Sequence, residues 1–328
     1  MPIQRRAFLA SSLALLAAAQ SRADQSPFPP PSLYQGAPPW PAKESFALWP
    51  GKAPGQRDTA PKPQWTMNGP ADRRELHIQG VDKPEIHVYR PNNPTGQGLL
   101  VLPGGSYKLL SVQNEGLDAA RTFNEMGMTV FILTYRLPNE GWDRQFDVPL
   151  QDAQRAMRLV RSKAKDFGID PAKLAVLGFS AGGHLAATLT TCFDEAVYQP
   201  IDEADKQSAR PAFSCLMYPV IDMRAPLVHA ESRGNLLGPN PSDALLDARS
   251  AQRRVTADTP PCFLAHALDD GGVPYGNSVA MVEALRAHSV PCELHLFEKG
   301  NHGFGLHLPK DFTGARWPEL FRAWVATR

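Results

Sequence analysis

Beyond Pro70 the chain alternates between two patterns. Short, nearly continuous apolar runs, "EIHVYRP", "GLLVLPGG", "TVFILTYR", "KLAVLGFS", "FSCLMYPV", "CFLAHALD" and "CELHLFEKG", read as strands. Between them lie stretches whose apolar residues recur three or four positions apart. One runs from Leu117 to Met126. In another, from Asp147 to Phe167, the residues Leu150, Ala153, Met157, Val160, Ala164 and Phe167 form a stripe, with Asp147 placed to cap and Pro149 in the first turn. Further helical stretches fall near Ala181 to Thr190, Asn277 to His288 and Trp317 to Val325. Strands that are apolar at successive positions are buried on both faces, so the alternation predicts an α/β fold, a mostly parallel central sheet with helices on both sides. Such sheets bind ligands at the carboxyl ends of their strands.

Ahead of Pro70 neither period holds. Residues 1–23 carry Arg5 and Arg6, then about a dozen small or apolar residues, then a small-x-small site at Ser21 and Ala23, as export signals do. The paired arginines suggest the bacterial twin-arginine type, although Gln4 stands where Ser or Thr is usual. The segment is too short for a stable membrane anchor, so the expectation is a periplasmic or secreted bacterial protein. Residues 24–70 hold 12 of the 32 prolines and read as an extended arm, with Trp40, Trp49 and Trp65 pinning it to the body rather than lining a cleft. Residues 71–328 then form one domain.

Composition narrows the range of partners. At 43% hydrophobic and 20% charged, 328 residues make a globular chain with a sizeable core. A net charge of +1, without a basic run in the body, argues against a nucleic-acid groove or a membrane-surface patch and for a small or neutral ligand. Cys192, Cys215, Cys262 and Cys292 form no C-x-x-C pair, so zinc or redox chemistry is not indicated. Buried free thiols are expected, with a Cys262–Cys292 disulfide as the alternative.

The chemistry centres on "GFSAG", Gly178 to Gly182, a G-x-S-x-G placed where a strand gives way to a helix. The flanking glycines allow a tight bend that exposes Ser180, the expected nucleophile, above the helix N-terminus. A serine hydroxyl needs a base and an acid to orient that base, in the chain order Ser, acid, His. "HALDDGGVP" and "FEKGNHGFG" follow the last two strands and supply Asp269 or Asp270 and His302. Asp270 is preferred because it sits further out in the loop, with the freer approach to the histidine. His184, His266, His288, His295 and His307 are read as structural. "VLPGGSY" leaves an early strand like the HGGG loop of lipases, which assigns the oxyanion donors to the backbone N–H groups of Gly105, Ser106 and Ala181. Tyr107 and Trp142 are candidate substrate-lining residues, Trp142 having surface packing as an equal alternative. Phosphate-loop and metal-ligand patterns are absent, so no cofactor or metal is called for.

The ordered set "PGGSY", "TYRLP", "DAQRAMRLVRSKA", "GFSAGGHLAA", "YPVIDM", "NLLGPNPS" and the segment from "TPPCFLAHALDD" to "GNHGFGL" resembles the α/β-hydrolase fold esterases known in bacteria as acetyl xylan or feruloyl esterases, over about residues 45 to 327. The resemblance implies a triad at Ser180, Asp270 and His302. It also implies an oxyanion loop in which Ser106 replaces the usual third glycine, adding a side chain near the acyl pocket. The implied reaction is ester hydrolysis through an acyl-enzyme, on acetylated carbohydrate such as xylan fragments. A general short-chain carboxylesterase is the alternative. A prolyl-oligopeptidase-like peptidase and a non-catalytic binding protein on the same scaffold are the remaining alternatives.

Overall fold

The computed structural model describes residues 37–59, 61–69 and 75–328. The signal-like segment therefore lies outside the described residues, as does the first part of the proline-rich arm.

Eleven strands are described: β1 (Glu44–Ala47), β2 (Gln64–Asn68), β3 (Glu75–Gln79), β4 (Glu85–Tyr89), β5 (Gly98–Leu102), β6 (Leu110–Ser111), β7 (Thr129–Thr134), β8 (Leu174–Phe179), β9 (Ser214–Met217), β10 (Cys262–Ala267) and β11 (Cys292–Phe297). Eight form the central sheet in the order β1-β4-β7-β5-β8-β9-β10-β11. From β7 to β11 all pairings are parallel, while β4 and β1 are antiparallel at one edge. Every residue of β5, β7, β8 and β10 is buried. Because successive side chains of a strand point to opposite faces, both faces must be covered. The cover comes from helices α1 (Asp118–Glu125), α2 (Val148–Ser162), α3 (Ala164–Phe167), α4 (Ser180–Thr191), α5 (Ala230–Leu237), α6 (Asp243–Ala248), α7 (Gly276–Ala287) and α8 (Trp317–Val325). The α/β order follows the sequence pattern, and the fold is the α/β-hydrolase fold that the resemblance implies. None of the described helices is long and apolar enough to cross a membrane.

Three expectations need correction. The stripe expected to form one helix over 147–167 is broken at Lys163 and closed at Gly168, which takes up φ 65°. Asp147 makes no side-chain cap, because its carboxylate is engaged by Arg144 at 2.6 Å and by the buried Arg249 at 2.5 Å. The proline-rich arm is not merely a strap. Glu44–Ala47 adds an antiparallel edge strand to the main sheet, and Gln64–Asn68 joins β3 in a small antiparallel sheet with β6.

The tryptophans of this region do pack. The Trp49 Nε1–H donates to Asp152 at 2.8 Å, and Asp152 also receives the fully buried Arg136 guanidinium at 2.7 Å. Trp40 lies over His87 with ring centroids 4.1 Å apart and meets Trp65 edge-on. Cys262 and Cys292 are register partners on β10 and β11, and all four cysteines are free thiols.

Candidate active site

β8 ends at Phe179 in extended conformation and α4 begins at Ser180, whose φ is +53°. A non-glycine residue in that region is strained, at a cost on the order of 1–3 kcal/mol, and such strain persists only where the surroundings impose it. Here the surroundings are tight. A Cβ on Gly178 would lie 2.2 Å from the Gly182 carbonyl, and one on Gly182 would lie 2.1 Å from the Leu102 carbonyl. The two glycines of G-x-S-x-G are thus where the elbow folds against itself and against the end of β5.

The Ser180 Oγ lies 2.8 Å from His302 Nε2, and His302 Nδ1 lies 2.8 Å from Asp270 Oδ2. Burial pushes the Asp270 carboxyl up. Hydrogen bonds from His266 and His302 outweigh it and hold the group well below the usual carboxylate range. Asp270 is therefore an acceptor only. His302 Nδ1 then carries the proton, which leaves Nε2 to accept from the serine. The structure brings together the three residues that the sequence reading singles out.

Asp270 is held by more than His302. Its Oδ1 accepts from the N–H groups of Gly272 at 2.9 Å and Val273 at 2.8 Å, and its Oδ2 also faces His266 Nε2 at 3.1 Å. His266 is fully buried, and its Nδ1 meets Ser278 Oγ at 2.8 Å. Its strand position made it look purely structural; only folding shows that its imidazole touches the acid. Asp269, the competing acid, instead accepts the backbone N–H groups of Gly300 and Asn301 and so fixes the approach to His302.

Opposite the histidine, the loop after β5 brings Gly104 against Ser180, where an added Cβ would lie 3.0 Å from Ser180 Cβ. The Gly104 N–H is already committed, donating to Glu115 Oε2 at 2.6 Å. The N–H groups of Gly105 and Ser106 donate to no acceptor among the described residues. Ala181 sits in the first turn of α4, where backbone N–H groups have no intrahelical acceptor. The loop runs through two consecutive left-handed residues, Ser106 at φ 56° and Tyr107 at φ 58°. It is pinned at both. Asn235 Nδ2–H donates to the Ser106 carbonyl at 2.8 Å, and the Tyr107 hydroxyl meets His184 Nδ1 at 2.7 Å. Burial pushes the His184 pKa down to about 4, which keeps the ring neutral. Its Nε2–H donates to the Arg249 carbonyl at 2.7 Å, so Tyr107 is the donor to Nδ1.

The two candidate lining residues do not line the site. Tyr107 is 1% exposed, its hydroxyl spent on His184. Trp142 is buried, donates Nε1–H to the Leu137 carbonyl at 2.8 Å and stacks against the Arg136 guanidinium. Both are anchors for neighbouring loops. The sequence does not single out Glu115 or Tyr218, and it marks His266 only as structural. Glu115 follows Gln113 and Asn114 in a polar stretch ahead of the Leu117–Met126 stripe, so nothing in the sequence marks it as buried. Among the described residues no group of three or more His, Cys, Asp or Glu side chains is placed to hold a metal ion.

An α/β-hydrolase sheet with a serine at the strand-helix elbow and a histidine and aspartate on the last two strand ends defines the class. Residues 86–285, more than half of the chain, match the BD-FAE family model, and the chain belongs to that family. It is 34% identical over 239 residues to an acetylxylan esterase of Xylanibacter ruminicola, covering 72% of this chain and 46% of that protein. It is 35% identical over 232 residues to endo-1,4-beta-xylanase B of Butyrivibrio fibrisolvens, covering 70% of this chain and 36% of that one. The chain thus spans half or less of the length of these curated relatives. Among solved structures, the acetyl ester-xyloside bifunctional hydrolase of Caldicellulosiruptor lactoaceticus superposes with a TM-score of 0.72 at 33% identity, covering 89% of this chain and 98% of that one.

Proposed function

We propose that the protein is a serine ester hydrolase that removes acetyl groups from acetylated carbohydrate such as xylan fragments, working through an acyl-enzyme. The observation that carries this reading is the continuous relay from Ser180 Oγ through His302 to Asp270 beside a loop with uncommitted N–H donors. Ser180 attacks the ester carbonyl while His302 Nε2 takes its proton. The N–H groups of Gly105, Ser106 and Ala181 receive the developing oxyanion, each donor being worth on the order of 3 kcal/mol. His302 then passes the proton to the leaving alcohol, and water repeats the sequence to release the acid. The acetyl and carbohydrate parts of the proposal rest on the named relatives. The signal-like residues 1–23 support export to the periplasm or beyond.

The test is hydrolysis of 4-nitrophenyl esters from acetate to decanoate alongside acetate release from acetylated xylan, with Ser180→Ala as the control. Preference for acetate together with release from xylan is the expected result. Activity confined to longer chains would make the protein a general carboxylesterase, and activity surviving in Ser180→Ala would overturn the mechanism.

A further inference from the structure

Close to the reacting serine lies a buried acid that the proposed chemistry does not use. Glu115 occupies the middle of a one-turn π-helix, Gln113–Leu117, and is 3% exposed. Such turns are uncommon and recur at functional sites. Its two oxygens serve two different loops. Oε2 accepts from the Gly104 N–H at 2.6 Å, immediately before the proposed oxyanion donors, and Oε1 accepts from the Tyr218 hydroxyl at 2.9 Å. The Tyr218 oxygen in turn accepts from the Gly305 N–H at 2.9 Å, three residues beyond the base. The Tyr218 ring meets the His302 ring edge-on, with centroids 5.2 Å apart. The neighbouring Asn114 Nδ2–H donates to the Gly303 carbonyl at 2.9 Å. One helical turn therefore holds the backbone on both sides of the reacting centre.

The sheet does not hold these two loops together. The Gly104 loop leaves β5 and the His302 loop leaves β11, and β8, β9 and β10 stand between those strands. Nor is the contact a by-product of efficient packing. Burying a carboxylate is costly, and Tyr218 itself is held at φ 37°, in the left-handed region. A carboxylate offers what an amide of the same shape cannot, acceptor oxygens on both sides for two donors, Gly104 N–H and Tyr218 O–H.

We infer that Glu115, acting through Tyr218, is a positioning residue that fixes the oxyanion loop relative to the loop carrying His302. The inference rests on the ester-hydrolase reading. Acyl transfer needs the oxyanion donors about 3 Å from the forming charge and the base within hydrogen-bond reach of the nucleophile at the same moment. A misplacement of about 1 Å between them can cost about a hundredfold in rate.

The test compares wild type, Glu115→Gln, Tyr218→Phe and the double variant on 4-nitrophenyl acetate, with thermal unfolding of each. It also measures inhibition by a small arylboronic acid, whose tetrahedral adduct on a serine needs both loops in place. Each single variant should lose about 10- to 100-fold in kcat with KM within about twofold, and boronate affinity should fall in step. The double variant should be no worse than the poorer single one, because both substitutions cut the same connection. Singles that keep kcat and boronate affinity near wild type would overturn the inference, as would losses that add in the double variant or that appear only in KM. Tyr218→Phe keeps the ring volume and remains informative if Glu115→Gln folds poorly. A wild-type protein without esterase activity would instead remove the reading on which the inference stands.

Discussion

Asp269 and Asp270 are consecutive in the chain but hold opposite parts of the site. Asp270 Oδ2 lies 2.8 Å from His302 Nδ1, whereas Asp269 Oδ1 accepts the N–H groups of Gly300 at 2.9 Å and Asn301 at 2.8 Å. One aspartate orients the imidazole and the other shapes the loop that delivers it.

Replacing the two should therefore have unequal effects. Asp270→Asn leaves the shape intact but turns His302 toward the wrong tautomer, and kcat should fall about ten-thousandfold. Asp269→Asn keeps an oxygen that accepts both N–H groups, so the loss should stay within roughly tenfold. Steady-state kinetics on 4-nitrophenyl acetate measures both, and equal losses would contradict the division of roles.

The strained serine sets stability against activity. At φ +53° a glycine is unstrained, so Ser180→Gly should raise the unfolding free energy by about 1 kcal/mol while lowering kcat about a millionfold. Guanidinium unfolding run beside the kinetic assay tests the pairing. A destabilised Ser180→Gly would mean that the elbow is not strained.

The oxyanion loop permits two complementary changes. Ser106 at φ 56° occupies a conformation that glycine adopts freely, so Ser106→Gly should be stabilising by up to about 1 kcal/mol. It also removes a side chain beside the proposed acyl site and should shift preference toward longer 4-nitrophenyl esters. Tyr107→Phe leaves the buried His184 Nδ1 without its donor and should cost about 1–3 kcal/mol, read by the same unfolding curves.

Acid should destabilise the fold before it reaches the carboxylates. Burial pushes both His87 and His184 down to about 4, below the ordinary value near 6.5 that they regain on unfolding. The unfolded chain then binds more protons than the native one, so stability falls as pH drops from about 6.5 toward about 4. Each histidine accounts for on the order of 3 kcal/mol of that loss. His87→Phe, which keeps a ring against Trp40, should flatten the decline in unfolding free energy between about pH 7 and about pH 5. An unchanged slope would show that His87 stays charged when folded.

Where the sequence pattern is local, it decides the structure. Continuous apolar runs require strands buried on both faces, and β5, β7, β8 and β10 appear where those runs lie. The glycine spacing around Ser180 requires an elbow, because any larger side chain at Gly178 or Gly182 would meet backbone within about 2.2 Å. The strands hidden in the proline-rich arm, β1 and β2, carry no such run, since edge strands need bury only alternate residues and their pairing partner supplies the register.

The chain by itself thus determined the α/β order, the serine elbow and the strand ends that supply an acid and a histidine, because these depend on residues a few positions apart. Only the tertiary structure decided which aspartate faces His302, that Tyr107 and Trp142 turn inward, and that Glu115, Tyr218 and His266 support the site. Those contacts join residues that are distant in sequence or split between neighbouring side chains by their direction. A buried hydrogen bond leaves no periodic trace in the chain, only a polar residue whose partner is named by folding.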